Sequence, residues 1–139
     1  MEPVSNRRVA LRALVVDDDE GMSAYVSETL RQEGFEVFLA STGEKGVGLF
    51  RNERISIVLL DICMGNKDGF ETLMEIRRCS PEARVITMSG YREYRGLDVE
   101  QWSEKLGAII VLPKPFTRDE LINCVRDALS RGNTGFGVN

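Results

Sequence analysis

Apolar residues along this chain gather in short runs separated by longer stretches of mixed polarity. The densest is Ile55-Ser56-Ile57-Val58-Leu59-Leu60-Asp61, unbroken from Ile57 to Leu60. It is too short to span a bilayer. Ile55, Ile57 and Val58 are β-branched, which favours a pleated strand. A run apolar on both faces suits a central strand of a parallel sheet with helices on each side. Turn residues follow, from Met64 through Gly65, Asn66, Lys67 and Asp68 to Gly69. Asp61 is therefore expected at the carboxyl end of a buried strand, facing the edge where open α/β sheets bind ligands. An acid that merely ends a strand or caps the next helix accounts for Asp61 alone equally well.

The other apolar runs repeat the pattern. Leu11 to Val16, Phe35 to Ala40, Arg84 to Met88 and Ala108 to Leu112 read as strands, and Glu36 marks the second as an edge. Between them the period lengthens to that of a helix. Met22 to Glu33 reads as one helix closed by Gly34, and Val99 to Leu106, with Trp102, as another closed by Gly107. Phe70, Leu73, Met74 and Arg77 mark a helix ended by Ser80-Pro81, and Leu121, Ile122, Val125, Ala128 and Leu129 mark the last. Ser41-Thr42-Gly43-Glu44 and Thr117-Arg118-Asp119-Glu120 have capping-box spacing. Gly46 and Gly48 lie inside the helix that the first box opens, so that helix is expected to be soft. Tyr91 to Leu97 has no clear period. Strands alternating with helices imply parallel strands joined by right-handed crossovers.

Composition narrows the chemistry. A chain of 139 residues suits one domain with a real core. Residues 1–10 read as a frayed arm, 11–130 as the folded unit and 131–139 as a flexible tail. The net charge of -4 and the lack of a Lys/Arg stripe give no nucleic-acid surface. No signal peptide or membrane span is read, and the three cysteines lack zinc-ligand spacing. Reduced thiols in a cytoplasmic protein are the simplest expectation. There is no histidine, which excludes Ser-His-Asp triads and His-ligated metals.

The expected strand ends carry polar groups to one edge of one sheet: Asp17-Asp18-Asp19, Asp61, Ser89 and Lys114. The acids after the first strand suit a helix start, through the dipole, and also a hard cation. Together the set offers a nucleophilic carboxylate, a cation site, a hydroxyl and an ammonium. That kit suits phosphoryl transfer to a carboxylate.

At these motifs the chain resembles the response-regulator receiver domains of two-component signalling. The resemblance rests on Leu14-Val15-Val16-Asp17-Asp18-Asp19 and on Val58-Leu59-Leu60-Asp61-Ile62-Cys63-Met64 with Asp68-Gly69. It continues in Val85-Ile86-Thr87-Met88-Ser89-Gly90 and Leu112-Pro113-Lys114-Pro115-Phe116, and covers roughly Leu11 to Leu129. It implies a flavodoxin-like, doubly wound parallel sheet of five strands in the order 2-1-3-4-5. Asp61 resembles the phosphoacceptor, and Asp17 and Asp18 the acidic pair that holds Mg2+ together with the Cys63 backbone carbonyl. Ser89 resembles the switch hydroxyl. Lys114 resembles the lysine that contacts the phosphoryl group, with a cis bond to Pro115. The implied donor is a sensor histidine kinase or a histidine phosphotransfer protein, and the output is a downstream protein or an output domain elsewhere. By the resemblance the chain is a switch and not an enzyme, beyond its own phosphorylation and dephosphorylation.

Three departures stand out. Gly65 replaces the proline usual in the loop after the phosphoacceptor. Val111 replaces the aromatic residue usual three positions before the lysine. The segment from Ser89 to Lys114 is a few residues longer than usual. With no ring at position 111, Tyr91 becomes the aromatic residue that a moving Ser89 loop would carry. Two other functions compete with the switch. Asp17-Asp18-Asp19 also fits the nucleophile pattern of haloacid-dehalogenase-like phosphatases, with Asp17 as nucleophile, although Gly21 stands where threonine is usual. A degenerate receiver that only binds a partner is the third, and the intact acids, Ser89 and Lys114 argue against it.

Overall fold

In the computed structural model, residues 10–65 and 68–131 are described. The expected arm and tail fall almost wholly outside them, as do Asn66 and Lys67 of the turn. The elements in chain order are β1 (Arg12–Val16), α1 (Glu20–Gln32), β2 (Glu36–Ala40), α2 (Gly43–Asn52), β3 (Ile57–Asp61) and α3 (Gly69–Cys79). There follow β4 (Val85–Ser89), β5 (Glu93–Tyr94), β6 (Leu97–Asp98), α4 (Val99–Lys105), β7 (Ile110–Pro113) and α5 (Arg118–Arg131).

Five parallel strands form one sheet in the order β2-β1-β3-β4-β7, the expected order once the small β5–β6 pair is set aside. β3 is central, and all of Ile57 to Leu60 are fully buried. The pleat divides them between two faces. Ile57 and Leu59 pack with Val26, Leu30, Leu121 and Val125 of α1 and α5. Val58 and Leu60 pack with Val47, Leu73 and Ile76 of α2 and α3. β2 lies at the sheet edge, as Glu36 suggested.

The caps explain most helix boundaries. Asp19 accepts a hydrogen bond from the Met22 N–H, which starts α1 at Glu20, earlier than hydrophobic spacing alone placed it. Thr117 and Glu120 cap α5 reciprocally, each side chain accepting from the other's N–H. At α2 the expectation shifts by one residue. Thr42, not Ser41, is the cap, and its Oγ1 accepts from the Lys45 N–H at 3.1 Å. Gly46 is no mere weak point: a Cβ there would meet Val16 Cγ2 at 2.8 Å, so glycine lets α2 lie close on β1. Met74, expected in the apolar stripe of α3, is 41% exposed, and Ile76 is buried in that stripe.

One element was not expected. The aperiodic stretch after Ser89 contains an antiparallel hairpin in which Glu93 pairs with Asp98 and Tyr94 with Leu97. Its turn residues Arg95 and Gly96 have φ of 55° and 78°. Positive φ at both centres is the signature of the tight turn whose twist matches a hairpin. The hairpin joins a third apolar cluster, built on Ile62, Phe70 and Val99 with Tyr94, Leu97 and Trp102 at its margin.

Candidate functional site

Parallel strands point their carboxyl ends the same way, so β1, β3, β4 and β7 deliver their following residues to one edge. Asp17 follows β1 directly. It is 2% exposed, and its backbone is fixed by an N–H bond to the Ala40 carbonyl. Its carboxylate accepts from the Asp19 N–H at 3.0 Å and from Lys114 Nζ at 3.0 Å. Asp18 is exposed, and its Oδ2 accepts from the Gly65 N–H at 3.1 Å. Asp19 turns away to cap α1. Asp61 closes β3 and is 4% exposed. Its Oδ1 accepts from the Cys63 N–H at 3.3 Å and lies 3.6 Å from Lys114 Nζ. Lys114 follows β7, and its bond to Pro115 is cis.

One oxygen from each of Asp17, Asp18 and Asp61 falls within a sphere of contact where all lie within 4.8 Å of one another. Among the described residues three carboxylates face a single ammonium, and that surplus of negative charge in a partly buried cleft is costly. Burial and the Asp17 anion push the Asp61 carboxyl up to about 7, against the opposing pull of Lys114 and the Cys63 N–H. Burial alone would lower the Lys114 ammonium, but Asp61 and Asp17 outweigh it and hold that group above its usual value. Oxygen donors clustered in this way fit a hard divalent cation, which relieves the same repulsion.

Ser89 stands differently. It is buried at the end of β4, but its hydroxyl is engaged with the chain that follows. Oγ donates to the Tyr91 carbonyl at 2.8 Å and accepts from the Tyr91 N–H at 2.9 Å. Cys63 Sγ lies 3.4 Å away. The geometry thus joins Asp17, Asp18, Asp61 and Lys114 directly, while Ser89 sits beside them facing its own loop. Tyr91 is 68% exposed at the rim of a cavity of about 370 Å3 lined by Ser89, Val99, Val111 and Pro113 among others.

Sequence reasoning missed Tyr94. Its hydroxyl donates to the Met64 carbonyl at 3.2 Å, on the loop that follows Asp61. Arg95, next along the hairpin, pairs with Asp68 at 3.9 Å. The one local signal was Gly96 in an aperiodic stretch, which marks a turn but not the strands beside it.

The fold and its acidic cleft define a class, the flavodoxin-like α/β domains with clustered carboxylates at the strand ends. Residues 13–126 match the family described as the response regulator receiver domain, and the chain belongs to that family. It is 35% identical over 118 residues to sporulation initiation phosphotransferase F of Bacillus subtilis (strain 168), covering 85% of this chain and 93% of that protein. It is 35% identical over 123 residues to the transcriptional regulatory protein CpxR of Escherichia coli (strain K12), of which it spans 50%. Among solved structures, a CheY-like receiver domain protein from Methanospirillum hungatei JF-1 superposes with a TM-score of 0.84 at 26% identity. That match covers 91% of this chain and 99% of the other. A beryllofluoride-activated receiver domain, DrrB, superposes with a TM-score of 0.76 at 29% identity, covering 88% of this chain and 100% of that one. The chain is a phosphorylation-dependent signalling switch. The phosphatase reading with Asp17 as nucleophile finds no support in these relatives. Among the described residues no helix is long and apolar enough to cross a membrane.

Proposed function

We propose that Asp61 is the phosphoacceptor of this switch. The supporting observation is its position: a buried carboxylate at the end of the central strand, clustered with Asp17 and Asp18 and 3.6 Å from Lys114. The donor is a phosphohistidine on a sensor kinase or phosphotransfer protein. An Asp61 oxygen attacks phosphorus, the P–N bond breaks, and the imidazole leaves with the electron pair. Lys114 lies where it can neutralise phosphoryl oxygens, and its ammonium stays charged throughout. Mg2+ would be held by Asp17, Asp18 and the Cys63 carbonyl, and when bound it supplies charge neutralisation at the transferring group.

Ser89 is the switch hydroxyl in this reading. Its two bonds to the Tyr91 backbone must break before it turns to the aspartyl phosphate. A hydrogen bond to a charged acceptor, about 1.5–3 kcal/mol, competes with neutral bonds of about 1 kcal/mol each. The two positions are therefore close in energy, as a switch requires. The folded unit is taken as residues 11–130. The protein works in the cytoplasm and regulates a downstream protein, with no catalysis beyond its own phosphorylation and dephosphorylation.

Acetyl phosphate with Mg2+ tests the assignment. Wild type should form an acyl phosphate that maps to Asp61. A label on Asp17 would restore the phosphatase reading, since both residues form acyl phosphates.

A further inference from the structure

The β5–β6 hairpin reaches from the end of β4 across to the loop after Asp61. Its base is closed by the Val99 N–H donating to the Arg92 carbonyl at 2.8 Å. Its turn leans on α3: the Tyr94 and Phe70 ring centroids are 6.3 Å apart, and the Arg95 guanidinium lies 5.2 Å from the Tyr94 centroid. Arg95 also pairs with Asp68, whose carboxylate caps α3. Tyr94 thus lies against both Phe70 and Arg95, and its hydroxyl is placed on the Met64 carbonyl.

That carbonyl and the Gly65 N–H belong to the same peptide unit. One end of this planar group accepts from Tyr94, and the other donates to Asp18 Oδ2. A peptide plane held at one end orients the other, and hydrogen bonds in series polarise one another. Asp18 is exposed, so the bond from the Gly65 N–H helps to set where its carboxylate lies. Gly65 stands where the family usually carries proline, which has no N–H to give. Glycine at position 65 therefore supplies the donor, and the hairpin supplies the constraint.

We propose that Tyr94 is a positioning residue for the cation site, acting through the Met64–Gly65 peptide on the Asp18 carboxylate. The proposal rests on the receiver reading above and deepens it. The inserted hairpin then ties the acidic cleft to the start of α4, which follows β6 without a break.

The experiment compares wild type, Tyr94→Phe, Asp18→Ala and the double variant. It measures Mg2+ affinity and the amide resonance of Gly65 in the metal-free protein. Phenylalanine keeps the ring contacts with Phe70 and Arg95 and removes only the hydroxyl. The expected loss in Mg2+ affinity is about fivefold, that of a neutral hydrogen bond. The Gly65 amide should move toward its position in Asp18→Ala. In the Asp18→Ala background, Tyr94→Phe should change Mg2+ affinity no further, because its effect runs through that carboxylate. An unchanged Gly65 amide and Mg2+ affinity in Tyr94→Phe overturn the proposal, and so does an equal loss in the Asp18→Ala background. Wild type that binds Mg2+ but takes no beryllofluoride at Asp61 overturns the receiver reading instead, and leaves the action of Tyr94 on Asp18 standing.

Discussion

The two sides of the cleft are built on different terms. On one side Asp17, Asp61 and Lys114 are fixed at the ends of β1, β3 and β7, with buried carboxylates bonded to backbone N–H groups and to one ammonium. On the other side Ser89 is turned into its own loop, Tyr91 is exposed, and a cavity lies against Val111. The first side is already assembled in the unphosphorylated protein, and under the proposed mechanism the second moves afterwards. Chemistry that depends on positioning needs the former, and a switch needs the latter.

The largest expected effect breaks the assembled side. Asp61→Asn should reduce labelling by acetyl phosphate to background while keeping the fold, as far-ultraviolet circular dichroism would show. Labelling equal to wild type would remove Asp61 from its role.

The same substitution should stabilise the metal-free protein, and its pH dependence fixes the sign. The Asp61 carboxyl is raised from 3.8 to about 7 in the folded protein. Between those values the folded state holds a proton that the unfolded state has lost, so stability falls as pH rises through that window and levels off above it. Asp61→Asn should flatten this fall and gain roughly 2–4 kcal/mol above pH 7, measured by urea denaturation without Mg2+. A wild-type profile that rises with pH over the same window would contradict the buried, repelled carboxylate.

Next in size is the comparison of Asp18→Ala with Asp19→Ala. Removing the exposed carboxylate that faces the cleft should weaken Mg2+ binding about tenfold or more. Removing the cap of α1 should leave that affinity nearly unchanged and cost about 1 kcal/mol of stability. Equal Mg2+ affinities would place the cation elsewhere among the three acids.

The smallest effect sharpens the Ser89 side. Tyr91→Ala should leave acetyl phosphate labelling intact but shorten the acyl-phosphate lifetime, about two- to fivefold if the ring costs water a single contact's worth of access. An unchanged lifetime, with beryllofluoride-induced shifts centred on Val111, would return the signal to the fifth strand of the main sheet.

The two sides also differed in how far they could be read from the sequence. The strands and their common edge followed from period and length, because a buried parallel strand must be apolar on both faces, and Ile57 to Leu60 are; the strand order followed only from the resemblance. The acids after β1 could be read as a helix start and a cation site together, because helix starts leave N–H groups to satisfy, but which acid took which role came only from the resemblance. Ser41 against Thr42 could not be decided, since either hydroxyl precedes the helix and only backbone geometry selects one. The hairpin escaped because each of its strands has two residues, too few for any period to register. Tyr94 escaped with it, and so did its bond to Met64, a contact across 30 positions that no local pattern encodes. The inward packing of Gly46 was equally hidden, since its reason is the position of Val16.

The most direct test of the contrast is the crystal structure of the Mg2+–beryllofluoride complex. With beryllofluoride on Asp61, Lys114 should remain beside Asp17 and Asp61, while Ser89 Oγ leaves the Tyr91 backbone and donates to a fluorine. Beryllofluoride bound at Asp61 with Ser89 still on the Tyr91 carbonyl, or with Lys114 displaced from the cleft, would contradict the account.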